Sequence, residues 1–191
     1  MSQATEPRPS VTRPDATAGK DAVMLILEPR KIGFDEYEPQ PLQPDQVRVK
    51  TLYSGISAGT EMTIYRGSNP YRKKRWDAEL KLFLPSDEDV RFYPLPVGYE
   101  ETGCVTEVGA DVAGVSPGDC VYGSWGHRTE TVLPGNVAAR NRFSPDQDPR
   151  HGVFARIGAI ALNGILDAQI NVGETVAVFG AGVVGLTCMA L

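Results

Sequence analysis

The chemistry most specific to this chain sits at Gly180-Ala181-Gly182-Val183-Val184-Gly185, a G-x-G-x-x-G turn. The turn follows a continuous apolar run of strand type, Thr175–Phe179 (TVAVF), and opens a second apolar stretch, Leu186–Leu191. Phosphate binding needs that context. Gly180 permits a tight turn, Gly182 lets backbone approach a pyrophosphate, and Gly185 lets helix pack on strand. Val183 and Val184 then stand in the first helical turn, where free amides and the positive end of the helix dipole meet the anion. A glycine-rich turn in an ordinary βα unit is the plainer alternative, and the strand and helix patterns on either side favour a dinucleotide. An acidic residue that reads the ribose belongs about 20 residues beyond such a turn. Only Leu186 to Leu191 follow Gly185. Because a lone parallel strand has no hydrogen-bonding partner, the 191 residues are expected to be a fragment whose cofactor domain continues.

The elements that must hold this turn are read from pattern. Residues 1–20 are polar and hold Pro7, Pro9 and Pro14, too little apolar surface to offset ordering, so a disordered tail is expected. Val23–Leu27 reads as a buried strand, and Gln46–Ser54 alternates with a period of two. Pro39, Pro41 and Pro44 enforce an extended connection between them. Short strands are expected at Gly103–Val108, Asp119–Tyr122 and Arg128–Leu133, punctuated by Gly109-Ala110-Asp111 and Ser116-Pro117-Gly118-Asp119. That texture predicts a small β-barrel or sandwich. Ser68–Phe92 is charged and irregular, with Arg72, Lys73, Lys74 and Arg75 beside Asp77 and Glu79. The acids that follow make it a solvated face or lid loop in preference to a phosphate patch. From His151 to Ala168 apolar residues recur every three or four positions, which predicts a helix.

Composition excludes several classes. With 19 basic and 24 acidic side chains the net charge is −5, so no basic footprint for nucleic acid exists. Neither a membrane-spanning run nor a secretory h-region stands out, and a soluble cytoplasmic protein is expected. Cys104, Cys120 and Cys188 lack metal or disulfide spacing and are read as buried fillers.

Several segments stand in an order that resembles the medium-chain dehydrogenase/reductase family of the zinc alcohol dehydrogenase type. Gly55-Ile56-Ser57-Ala58-Gly59-Thr60-Glu61 is similar to its G-I-C-x-[ST]-[DE] segment. Pro96-Val97-Gly98-Tyr99-Glu100-Glu101-Thr102-Gly103 is similar to P-x-x-x-G-H-E-x-x-G, and Val115–Val121 to V-x-x-G-D-x-V. The resemblance implies a mainly β chain with an α/β tail, built as a GroES-like irregular β-barrel at 21–150, a linking helix at 151–172 and the first βα unit of a Rossmann domain at 173–191. It implies hydride transfer between NAD or NADP and a small alcohol, carbonyl or enone substrate, and a homo-oligomer formed through the cofactor domain. A non-catalytic GroES-like binding or scaffolding module is the alternative.

Departures from the family pattern fall on its zinc ligands. Ser57 or Ala58, Tyr99, and Gly158 or Ala159 occupy their positions, and none replaces a thiolate or imidazole, so no metal site is expected. Together with Trp125-Gly126-His127-Arg128, the segment at Ser57 resembles a bacterial zinc-lacking branch similar to hydroxyethyl bacteriochlorophyllide dehydrogenase. A side-chain donor must then polarise the substrate oxygen. Candidates are Ser57, Thr60, Tyr99, Glu100 and His127. Tyr99 is either a phenol donor or a filler of the vacated space. Thr60 resembles the family's proton-relay hydroxyl, whereas Glu61 is expected to make barrel hydrogen bonds. Glu100 matches a largely structural glutamate. His127 titrates near neutrality by type, or is a barrel-wall residue with a satisfied hydrogen bond. His151 is read as a cap or surface residue, and Trp125, Tyr65 and Phe92 as pocket lining or core.

Overall fold

A computed structural model describes residues 20–86 and 93–191. The expected tail up to residue 19, and Phe92, lie outside the described residues. Two antiparallel sheets make the body. One runs β2 (Lys31–Tyr37), β1 (Asp21–Glu28), β6 (Leu95–Pro96); the other runs β8 (Cys120–Gly123), β7 (Glu101–Val108), β3 (Gln46–Ser54), β9 (Glu130–Pro134). Backbone contacts close the gap between them, with Met24 N donating to the His127 carbonyl at 2.8 Å and Thr129 N to Ala22 at 3.0 Å.

The core lies against the larger sheet. Val47, Val49, Val105, Val115, Val121, Trp125 and Ala138 form one buried cluster, each fully buried valine contributing roughly 1.5–2 kcal/mol of transfer free energy. β3 is central, and its opposite face is covered as well. There Arg48 donates to Glu107 at 2.9 Å, Glu130 at 2.7 Å and the Gln40 carbonyl at 2.8 Å, so its buried charge is paired.

Several segments differ from their sequence pattern. β1 buries only Ile26 fully and leaves Leu27 exposed, because one face of its small sheet is open. β2 occupies part of the connection assigned to the prolines. Within the charged stretch, Pro70–Lys73 forms a 3-10 turn, and β4 (Lys74–Asp77) pairs with β5 (Leu82–Pro85) as a hairpin held by Trp76 and Phe83, whose rings lie 4.9 Å apart. α1 (Thr60–Arg66) precedes it and α2 (Gly135–Arg140) follows β9. Pro149–Phe154 is 3-10 before α3 (Ala155–Asp167), since Pro149 favours a first turn and Asp148 caps it through Arg150 N at 2.9 Å.

Thr175–Phe179 is not a strand: its backbone meets no ladder, and Val176, Val178 and Phe179 are exposed, Phe179 by 96 %. A strand exists only through its partners. α4 (Val183–Ala190) begins at Gly182 and packs on α3, the Cys188 thiol pointing at the Ala161 carbonyl at 3.8 Å.

Candidate functional site

Glu100 leads into β7, whose first residue is Glu101, and there Glu101 is fully buried and Glu100 is 8 % exposed. Gly98 makes this entry possible. At φ +113° it holds a conformation that side chains avoid, and a Cβ there would lie 2.6 Å from both Glu101 Oε1 and His127 N. Glu101 Oε2 accepts from Trp125 N at 2.8 Å, and Oε1 accepts from the Ser54 hydroxyl at 3.2 Å. Ser54 Oγ also lies 2.5 Å from His127 Nδ1. Ser54 has one proton, and with it directed at Glu101 the hydroxyl oxygen must accept from Nδ1–H.

The other face of the imidazole meets a third acid. Glu61, 4 % exposed at the start of α1, places Oε2 3.4 Å from His127 Nε2 as an ion pair off the hydrogen-bonding direction. The same oxygen accepts from Ser57 N at 2.8 Å. With Nδ1 already protonated, a neutral ring would turn its Nε2 lone pair on a carboxylate. A second proton removes that conflict. Accordingly the Glu61 carboxylate holds the His127 pKa above its ordinary 6.5, with Glu101 and Glu100 adding and burial opposing. Burial, with the charges of Glu61 and Glu101, pushes Glu100 up from 4.5. Burial also raises Glu101, against the hydrogen bonds it accepts from the Trp125 amide and others. Glu61 Oε1 and Glu100 Oε1 are buried without a partner among the described residues. The result is an imidazole among three acids, with the protonated ring favoured and both Glu100 and Glu101 shifted toward their neutral forms.

Of the sequence candidates, this cluster unites His127 and Glu100. Ser57 joins through its backbone amide. Thr60 is exposed at the first position of α1, its N–H directed at Ser57 Oγ at 3.3 Å. Tyr99 is half-buried, and its carbonyl accepts from the Ser124 hydroxyl at 2.8 Å. Trp125 belongs to the core and donates to Thr51 Oγ1 at 2.9 Å. The sequence reading missed Ser54 and Glu101. Two consecutive glutamates at the entry to a strand were the available signal. A separate open cleft of about 400 Å³, lined by Tyr37, Gln40, Arg48 and Arg128 among others, lies on another face.

Zinc needs several free nitrogen, sulfur or carboxylate donors in one place. Among the described residues no three His, Cys, Asp or Glu side chains are grouped to hold a metal ion. The one imidazole in the cluster is engaged by Ser54 on Nδ1 and faces Glu61 on Nε2. A dinucleotide phosphate does fit the glycine turn. Gly182 caps α4 in extended conformation, and Leu186 N makes the first bond of the helix back to Gly182, leaving earlier amides open. A Cβ on Gly185 would fall 1.9 Å from the Gly180 carbonyl, so the turn closes only over glycine.

No protein-family model matches the chain. It is 27 % identical over 177 residues to a D-guloside 3-dehydrogenase of Escherichia coli strain K12, covering 88 % of this chain and 49 % of that protein. Its relatives include other dehydrogenases and reductases. A D-xylulose reductase A of Aspergillus niger is 31 % identical over 128 residues, covering 51 % of this chain and 36 % of the reductase. Among solved structures, an alcohol dehydrogenase of Escherichia coli CFT073 complexed with NADH superposes with a TM-score of 0.62 at 23 % identity, over 89 % of this chain and 52 % of its own. The chain therefore shares the fold of about half of that structure, and spans about half the length of the curated relatives it matches. No described helix is long and apolar enough to cross a membrane.

Proposed function

We propose that this chain is the substrate-domain half of an NAD(P)-dependent oxidoreductase of the medium-chain alcohol dehydrogenase type, working without catalytic zinc. One observation carries the reading. A single chain, matched along 88 % of its length by a dehydrogenase, holds both an open glycine turn at a helix N-terminus and a buried imidazole beside carboxylates. The exposed Val176, Val178 and Phe179 then belong to the first strand of a Rossmann unit, covered by strands outside these 191 residues.

Bound nicotinamide would supply hydride acceptance or donation at a substrate carbon. The residues of this chain do the rest. The open amides before Leu186 and the positive end of α4 hold the pyrophosphate. The substrate is a small alcohol or carbonyl compound, as the named relatives suggest. Tyr99, Ser57 and Thr60 stand where the family's metal ligands and relay hydroxyl converge, and they orient and hydrogen-bond the substrate oxygen. His127 holds the mobile proton and, as a buried cation, stabilises negative charge developing on that oxygen. Glu61, with Glu101, keeps the imidazole in place and its proton on.

The test uses the protein carrying the rest of its reading frame. It is expected to bind NAD or NADP by calorimetry and to keep its turnover after exhaustive chelation. His127→Gln is expected to lower kcat by roughly 100-fold or more with nucleotide affinity unchanged. Absence of nucleotide binding would favour a non-catalytic binding module, and about one equivalent of zinc lost together with activity would overturn the metal-free chemistry.

A further inference from the structure

We propose that Cys104 and Cys120 are a covalent modification site, a cross-strand thiol pair that peroxide converts to a disulfide. The two residues face each other directly in the antiparallel register of β7 and β8. The ladder shows which kind of pair they form. Val105 N bonds to the Asp119 carbonyl at 2.9 Å, so Val105 and Asp119 occupy the hydrogen-bonded position. Cys104 and Cys120 then occupy the adjacent non-hydrogen-bonded position. Consistently, the Cys120 carbonyl turns away from β7 to accept from Phe143 N at 2.9 Å.

Side chains stand closest at that kind of position, with Cα atoms roughly 4.5 Å apart in regular sheets. A disulfide spans Cα separations of about 4.4–6.8 Å, so oxidation requires no backbone rearrangement. The two residues face each other across the ladder, and both are half-buried, neither sealed in the core. Burial, with Cys104 and Asp119 adding, raises the Cys120 pKa from 9.0. Half-buried thiols on directly facing positions favour a disulfide over further oxidation of either one.

The chemistry balances with hydrogen peroxide as oxidant. One sulfur attacks the O–O bond, which breaks to give a sulfenic acid and water. The second sulfur displaces hydroxide from that sulfenic sulfur, and the two thiol protons leave in water. Two thiols and one peroxide thus give one disulfide and two waters. The bond would clip β8 to β7, the strand that begins with Glu101, closing a loop over residues 105–119.

The experiment treats the 191-residue chain with hydrogen peroxide, quenches free thiols, and maps peptides by mass. A Cys104–Cys120 cross-linked peptide with the loss of two hydrogens is expected, in Cys188→Ser as in the parent chain. Thermal unfolding of the oxidised chain is expected to move up by about 5 °C, since a loop of that size is constrained in the unfolded state. Cys104→Ser and Cys120→Ser are each expected to abolish the cross-link, whereas Cys188→Ser leaves it. Oxygen added at Cys104 or Cys120 with no cross-link, or cross-links only between molecules through Cys188, would overturn the proposal. So would an unchanged mass under conditions that oxidise a free model thiol.

Discussion

Two stretches of this molecule have the same apolar texture and opposite fates. Val47 and Val49 on β3, Val105 on β7 and Val121 on β8 are buried to within 1 % of exposure. Val176 and Val178, in a segment just as apolar, are exposed and outside any sheet. The difference is the neighbour. β3 has β7 on one side and β9 on the other, while Thr175–Phe179 has no ladder at all. Apolar pattern marks a surface that must be covered, and only the presence of a partner turns it into core.

Substitutions can break that contrast. The largest effect is expected at the charged heart of the packed region: Glu101→Ala leaves the Trp125 amide and the Ser54 hydroxyl without their acceptor. A loss of about 3 kcal/mol in denaturant unfolding is expected. Val49→Ala comes next, a cavity in the core costing about 2 kcal/mol by the same measurement. Val178→Ala is expected to change the unfolding free energy by less than about 0.5 kcal/mol, since its side chain meets water. A loss at Val178 matching that at Val49 would mean the segment is packed in solution and the contrast is false.

pH sharpens the comparison, because the packed region holds the shifted groups. Glu100 and Glu101 bind protons more tightly folded than unfolded, so stability falls as pH rises above 4.5 through their raised values. His127 adds stability that is complete below 6.5 and is lost as pH climbs through its own raised value. The folded state is thus expected to weaken steadily from mildly acidic to alkaline pH. Glu100→Gln, which keeps shape and removes one like charge, is expected to flatten the lower part of that decline and to raise thermal stability at pH 8. A variant as steep as the parent chain would show that Glu100 is not the proton-holding acid.

Much of the body was legible because alternation reports on a sheet with one strand between two others. Gln46–Ser54 and the turns at Gly109 and Ser116 read correctly for that reason. The prolines of 38–45 hid β2, whose Lys31–Tyr37 has Gly33 and two acids and little apolar alternation. At the site, His127 and Glu100 stood out by residue type. Ser54 and Glu101 did not, since their role comes from Gly98 folding the chain so that 54, 101 and 127 meet. Cys104 and Cys120 likewise read as separate fillers because only the register of β7 with β8 makes them a pair.

The central claim is that Ser54, Glu61 and Glu101 hold His127 as a buried imidazolium. Nitrogen NMR of the labelled imidazole tests it most directly, in a His151→Ala background so that one ring remains. Both ring nitrogens of His127 are expected to carry protons at neutral pH, with loss of one only above 6.5. A ring that is singly protonated at neutral pH and titrates at or below that value would contradict the account.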